Sequence, residues 1–324
     1  MLLLFISSCC VLTAQQLEWE VAQVNRQKSF KKTVPPGNYS GIAHLGGNRY
    51  AVVDDKSPQD GYWLFSIDVD SLSGQIVHAQ RLEFRGSNGK NRDAEGIAFN
   101  PSRQLIYISG ERDNEVVEYT TDGQPTGRRL QIPAAFHHAR RNAGLESLAF
   151  NTLDNTFWTT SELPLPGDSA GLLRLQQFDA DLQPTRQLFY RLDATEIARR
   201  GRYHQLGACE LLAVGRDSLL VLERELYIPK KNIGARVINK LFLCDVSQNS
   251  IADDSIQLPA TVSKRLLCRW QTRINLTRRS FANYEAMCLV PKLSDGRQVL
   301  LFFSDSQHHF KGLLKDWFKT IIVK

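Results

Sequence analysis

One short phrase occurs five times along the 324-residue chain: Tyr39-Ser40-Gly41-Ile42-Ala43, Ala94-Glu95-Gly96-Ile97-Ala98, Leu145-Glu146-Ser147-Leu148-Ala149, Cys209-Glu210-Leu211-Leu212-Ala213 and Tyr284-Glu285-Ala286-Met287-Cys288. Four copies carry Glu second, and the first carries Ser40. The second positions, 40, 95, 146, 210 and 285, stand 55, 51, 64 and 75 residues apart. A repeat at that period is one supersecondary unit that cannot bury its apolar faces alone, so its copies must stack on one another. No other feature constrains the fold as strongly.

Each copy is followed by a second apolar run that ends in acid: Tyr50 to Asp55, Ile106 to Glu111, Phe157 to Glu162, Leu219 to Glu225 and Leu300 to Asp305. These runs are rich in β-branched and aromatic residues and bounded by turn-forming Asp, Asn and Gly, which reads as strands. Third strands are expected at Tyr62 to Asp68, Val116 to Thr120, Leu172 to Phe178, Lys240 to Asp245 and Thr320 to Val323. Fourth strands are expected at Ile76 to Phe84, Thr126 to Ile132, Thr185 to Leu192 and Arg265 to Gln271. The fifth module has no fourth strand of its own, while Leu17 to Val24 is a strand without a module. Joining the two closes a ring and removes exposed sheet edges. The expected fold is therefore all-β, a β-propeller of about five four-stranded blades closed by an N-terminal strand. It forms a single domain over residues 15–324. A sixth blade between Lys230 and Arg279 is the alternative count, and Ala194 to Arg202 is read as a short helix.

In such a ring the innermost strand of each blade lines a central channel, and side chains alternate between the faces of a strand. Glu95, Glu146, Glu210 and Glu285 should then recur at one depth, with Asp55, Glu111, Glu162, Glu225 and Asp305 forming a second set near one mouth. Carboxylates gathered in this way raise one another's pKa and need compensation. One source is a hard cation such as Ca²⁺ held by oxygen ligands. Another is arginine, whose planar fork matches a carboxylate. Arg92, Arg141, Arg202, Arg278 and Arg279 precede repeated phrases, and Arg112 and Arg224 sit beside the second set. A recurrent polar residue that only ties blade to blade is the plainer alternative.

The first residues, Met1 to Ala14, are uncharged and too short to span a bilayer. They resemble the apolar part of an export signal, a leader of residues 1–14. Leu12-Thr13-Ala14 suits a signal peptidase, whereas Ile6-Ser7-Ser8-Cys9 resembles a bacterial lipobox. The expectation is export to the periplasm or cell envelope, with membrane contact only through a lipid on Cys9. The formal charge of +6 comes from 40 basic residues interleaved with 34 acidic ones. No basic stripe or recognition motif stands out, which argues against nucleic acid. Cys209, Cys244, Cys268 and Cys288 lack zinc-site spacing and read as buried thiols or one bridge. Nucleotide-loop and nucleophile-elbow motifs are missing. His137-His138 and His308-His309 read as loop residues, and Phe310 to Trp317 as a segment packed beneath the last strand.

The Glu-Gly-Ile-Ala-Phe phrase beginning at Glu95, strands that end in Ser-Glu or Ser-Asp, the stretch Leu219 to Glu225 and the late Ser304-Asp305-Ser306-Gln307 together resemble the phytase-like family, whose members carry the label of an esterase-like activity of phytase. The resemblance runs from about Asn38 to Lys324. It implies hydrolysis of a phosphate or carboxylic ester in an exported bacterial propeller. The substrate expected is a small anion, or the ligand an envelope component. Calcium-dependent propeller phytases hold phosphate between metal ions and basic side chains. That implies metal ligands among Glu95, Glu146, Glu210, Glu285, Glu111, Glu162 and Asp305. No nucleophile motif lets the resemblance assign a catalytic residue; for a metal-assisted hydrolase, the general base is expected among Glu95, Glu146, Glu210 and Glu225, and anion contacts among Arg112, Arg224, Arg92 and Arg141. Ser40 departs from the pattern, so a five-fold acidic ring is incomplete. The competing class is a propeller that binds a ligand or protein without catalysis.

Overall fold

The fold is seen in a computed structural model that describes residues 19–140, 143–231, 233–247, 260–275, 279–312 and 314–324. The leader, with Cys9, lies outside the described residues, as do Arg141, Arg278 and the start of the closing segment, Leu17 and Glu18. The closing strand proper is β1 (Val21–Val24). The first blade comprises β2 (Tyr39–Gly46), β3 (Arg49–Asp54), β4 (Gln59–Val69) and β5 (Ile76–Lys90). The second holds β6 (Ala94–Asn100), β7 (Leu105–Gly110), β8 (Glu115–Thr120) and β9 (Pro125–Arg129). The third holds β10 (Leu145–Asn151), β11 (Thr156–Ser161), β12 (Leu172–Phe178) and β13 (Pro184–Arg191). The fourth holds β14 (Tyr203–Gly215), β15 (Ser218–Ile228), β16 (Arg236–Asp245) and β17 (Ser263–Arg273). In the fifth, β18 (Asn283–Val290), β19 (Gln298–Asp305) and β20 (Phe318–Val323) are completed by β1, which pairs antiparallel with β20. The interval read as room for a sixth blade is spent on the long β16–β17 hairpin of the fourth.

The inner strands β2, β6, β10, β14 and β18 touch in cyclic order, so the ring is closed. Apolar wedges fill the spaces between neighbouring sheets. Strand β19 illustrates why the second strands read as unbroken apolar runs. Leu300 and Phe302 pack toward the fourth blade, while Val299, Leu301 and Phe303 pack toward the first. A strand buried on both faces cannot alternate with polar residues. Hairpins turn at buried asparagines: Asn100 Oδ1 accepts from the Ser102 and Arg103 N–H groups at 3.1 Å each, and Asn151 Oδ1 from Leu153 N–H at 3.0 Å. These short-range bonds stand in for strand pairing where the chain reverses.

The segment read as a short helix, Ala194 to Arg202, is irregular coil with bends. Its N–H groups at Glu196 and Ile197 donate to the Glu225 carboxylate at 2.8 and 3.0 Å, so they are satisfied from another strand and need no helix. The two histidine doublets do lie in turns. His137 and His138 end a 3-10 turn, while His308 and His309 have left-handed backbone.

Every inner strand is irregular within its phrase, at the second position in four blades and at the first, Cys209, in the fourth. Ser40, Glu146, Cys209 and Glu285 are skipped in the pairing with the second strand, and the second blade slips between Ala94 and Ile97. A bulge of this kind turns one side chain out of the alternation. The third position then abuts the next blade: a Cβ added at Gly96 would lie 2.6 Å from the backbone nitrogen of Leu148. Backbone cannot rotate aside as a side chain does. Gly96→Ala should therefore cost about 1–3 kcal/mol by overpacking, seen as a lower urea midpoint with an unchanged slope.

Candidate functional site

Strand pairing fixes which residues are equivalent from blade to blade. Tyr39, Ala94, Leu145, Ala208 and Tyr284 pair with Asp54, Gly110, Ser161, Glu223 and Ser304 respectively. The bulged position is therefore occupied in turn by Ser40, Glu95, Glu146, Cys209 and Glu285. The position just beyond the second strand's partner is occupied by Asp55, Glu111, Glu162, Arg224 and Asp305. Four blades present an acid at this outer position; the fourth blade presents Arg224.

Arg224 is buried and binds across its neighbours. It donates from Nη2 to Glu162 Oε1 of the third blade at 2.5 Å, and from Nη1 to Asn283 Oδ1 of the fifth at 2.9 Å and to Glu285 Oε1. Asn283 Nδ2 also donates to Glu285 Oε1 at 2.7 Å, and Gln205 Nε2 to Glu162 Oε2 at 2.6 Å. Burial opposes the Arg224 charge, but Glu285 and Glu162 outweigh it and hold the guanidinium firmly protonated. Lys56 supplies a second cation at the rim, 2.6 Å from Asp55 and 3.5 Å from Asp93.

These two cations leave carboxylates unbalanced. Burial, then Glu146, Asp55, Glu285 and Glu111, push Glu95 well above the usual carboxylate range. Glu146 is raised in the same way by burial and by Glu162, with Arg224 opposing. Burial lifts Glu285 to about 7 although Arg224 pulls the other way. Asp305, Glu111 and Asp55 are also raised, chiefly by burial. These mutual influences identify one electrostatic cluster at the channel mouth, made of Glu95, Glu146, Glu285, Asp55, Glu111, Glu162 and Asp305 around Arg224.

Two glutamates read from sequence as ring members fall outside it, both in the fourth blade and both by one residue. Glu210 sits one residue beyond the bulge, which in this blade falls at Cys209. Its carboxylate accepts Leu211 N–H at 2.9 Å and is further held by the backbone N–H groups of Met287 and Leu148, so it ties three inner strands together. Glu225 faces away from the channel and binds Glu196 N–H, Ile197 N–H and His204 Nε2, the last at 2.8 Å. Arg92 is turned to the flank of the second blade, bonded to Asp113 at 3.0 Å and to the Ile108 carbonyl at 2.9 Å. Arg112 stays near the mouth but reaches Asp93 and the Asn91 carbonyl. The residues missed by sequence reasoning are Lys56, Cys209, Asn283 and Gln205. The repeat did contain a signal for Cys209, because aligning Ala208 rather than Cys209 with Leu145 places it opposite Glu146.

Five sheets around a mouth lined with carboxylates define a closed, five-bladed β-propeller with an acidic channel. The chain belongs to the family described as Phytase-like: Esterase-like activity of phytase, which it matches over residues 34–308. No curated protein matches it. Among solved structures, it is similar to a streptogramin B lyase at 12% identity and TM-score 0.40, covering 92% of this chain and 98% of that one. A β-xylosidase, RS223, gives 9% identity and TM-score 0.44 over 92% and 95%. For a chain of a nidogen/laminin complex the values are 15% and 0.33, covering 65% of this chain and 61% of that one. Likenesses this distant carry no chemistry across.

The charge imbalance makes two expectations. A carboxyl whose pKa is raised by folding binds its proton more tightly in the folded state, so stability falls as pH rises from about 4.5 through about 7. Each such proton contributes a slope of at most about 1.4 kcal/mol per pH unit. Glu146→Gln removes one of these groups. Its melting temperature should exceed that of the parent at pH 8 and converge on it at pH 5. Arg224→Met does the opposite by stranding Glu162 and Glu285. The expected loss is about 3–5 kcal/mol at pH 8, shrinking at pH 5, as followed by denaturant unfolding at both values.

Proposed function

We propose that this protein is a metal-assisted hydrolase of phosphate esters acting at the acidic channel mouth. The observation that carries the reading is the excess of buried carboxylate over cation around Arg224, in a chain of the phytase-like family. The donor set suits a hard cation, being all carboxylate oxygen. Asp55 Oδ1 is buried without a hydrogen-bond partner among the described residues. Among those residues no three acidic groups already converge on a common point, so binding requires side-chain rotation at the mouth. Glu95, Glu146 and Asp55 are the residues that would hold Ca²⁺. When bound, it offsets phosphate charge and acidifies a water.

The chain's own contribution is proton transfer and orientation. Glu285, at about 7, is matched to accepting a proton near neutrality, the condition for an effective general base. Arg224 and Asn283 fix its carboxylate, which limits the geometries it can take. Export to the periplasm or envelope is part of this reading, on the strength of the apolar start Met1 to Ala14. A second reading is favoured by one observation: three of the N–H donors of Arg224 are committed to Glu162, Glu285 and Asn283, which limits what it can offer a phosphate. On that reading the mouth binds a ligand without turning it over.

The two separate on one set of assays. Hydrolysis of p-nitrophenyl phosphate and phytate should require calcium, be lost in chelator, and fall about 100-fold or more in Glu285→Gln. At free calcium 100-fold above its dissociation constant the fold should gain about 2.7 kcal/mol, and less in Glu146→Gln. Identical melting curves in calcium and chelator, with no turnover, leave the binding reading in its place.

A further inference from the structure

A cleft of ≈ 530 Å³ opens between the fourth and fifth blades, with Asn283, Asp305 and Gln307 of the channel mouth at its inner end. That volume lies within the range of small-molecule sites. Its walls are apolar, formed by Ala235 and Phe281 at the floor and by Ile228, Ile233, Phe310 and Leu314 around them. Ile233 is 62% exposed and Phe310 40% exposed, an unusual amount of apolar surface to leave beside one opening. Three cations rim the same cleft, Arg202, Lys231 and Arg279. None of them forms an ion pair among the described residues, in contrast to Arg92, Arg112 and Arg224.

The segment that carries Gln307 and Phe310 is held in a costly conformation. Gln307, His308 and His309 have φ of 48°, 50° and 55°, three successive left-handed residues without glycine. Such backbone persists only where surroundings enforce it, and it concentrates at functional sites. Here the enforcement comes from Asp305 Oδ1, which accepts Gln307 N–H at 2.6 Å, from Ser306 Oγ, which accepts His309 N–H at 3.1 Å, and from the His309–Asp316 pair at 2.6 Å.

We infer that this cleft binds a small amphiphilic anion, with its apolar body between the two blades and its acidic group among Arg202, Lys231 and Arg279. The inference goes beyond the proposed hydrolase, because the binding itself needs no turnover. It also answers a difficulty of the channel, where the arginines are already committed. Anion recognition is moved to the rim, where unpaired cations adjoin apolar surface.

Titration calorimetry of the full chain tests this with decane-1-sulfonate, an anionic amphiphile that a hydrolase cannot cleave, kept below its micelle concentration. One-to-one saturable binding is expected, at least ten-fold tighter than for methanesulfonate, which has only the anion, or octyl glucoside, which has only the apolar body. Arg202→Ala with Arg279→Ala should weaken binding ten-fold or more, as should Ile233→Glu. All three sites are exposed, so melting temperatures should stay unchanged. Equal affinity in parent and variants, or methanesulfonate bound as tightly as the decyl probe, overturns the inference. So does sedimentation with phosphatidylglycerol vesicles without uptake of the soluble probe, which would make the cleft a membrane contact. Sulfonate binding without any phosphatase activity leaves the cleft standing and removes the hydrolase. Phosphatase activity in a chain that ignores the sulfonate does the reverse.

Discussion

The centre of this propeller depends on one buried guanidinium. Arg224 comes from the fourth blade and grips Glu162 of the third and Glu285 and Asn283 of the fifth. Without it, the cation that pairs directly with a member of the acidic cluster, among the described residues, is Lys56 of the first blade. Like charges in a poorly hydrated place either acquire a partner or take up protons. The structure does some of both. Glu285 is bonded to Arg224 and still lifted to about 7, while burial and Glu146 hold Glu95 well above the usual carboxylate range, and burial and Glu162 do the same to Glu146.

The fold is nearly five-fold in backbone and markedly asymmetric in charge. Bulges recur in all five inner strands and aim equivalent side chains at the axis. The fourth blade answers with Cys209 and Arg224 where others place acids, and the first answers with Ser40 at the inner position. Negative charge therefore concentrates on the second, third and fifth blades. The cationic rim of the cleft, Arg202, Lys231 and Arg279, lies next to Arg224's own blade. An anion approaching from that side meets positive charge first and the carboxylates afterwards.

Glu210 shows how a repeat can be read correctly and still misplace a residue. The phrase around it matches the others by eye, with Glu second and Ala fifth. The pairing of Ala208 with Glu223 moves the register by one, so Glu210 becomes a structural tie among the N–H groups of Leu211, Met287 and Leu148. The same step exchanges Glu225 for Arg224 at the mouth. A strand alternates with period two, so a shift of one residue reverses every side chain it carries. Apolar residues on both faces of these strands conceal the shift, because either register buries Leu and Val.

What the sequence by itself determined is the architecture: five modules, their strands within a few residues, and a ring closed by a segment from the start of the chain. Those follow from periodicity and from the need to stack each module's two apolar faces, which are properties of the chain alone. It determined as well that acids recur on the inner strands, since the phrase carries Glu in four of its five copies. Tertiary structure decided which acids gather at the mouth, through bulges whose register is set by pairing with the second strand. It also decided that Arg92 serves the flank and Arg224 the mouth, although both looked alike as arginines beside a repeat. The cleft between the fourth and fifth blades left no mark in the sequence at all. Arg202, Lys231, Phe281 and Phe310 come from four separate segments, and only the closure of the ring brings them to one opening.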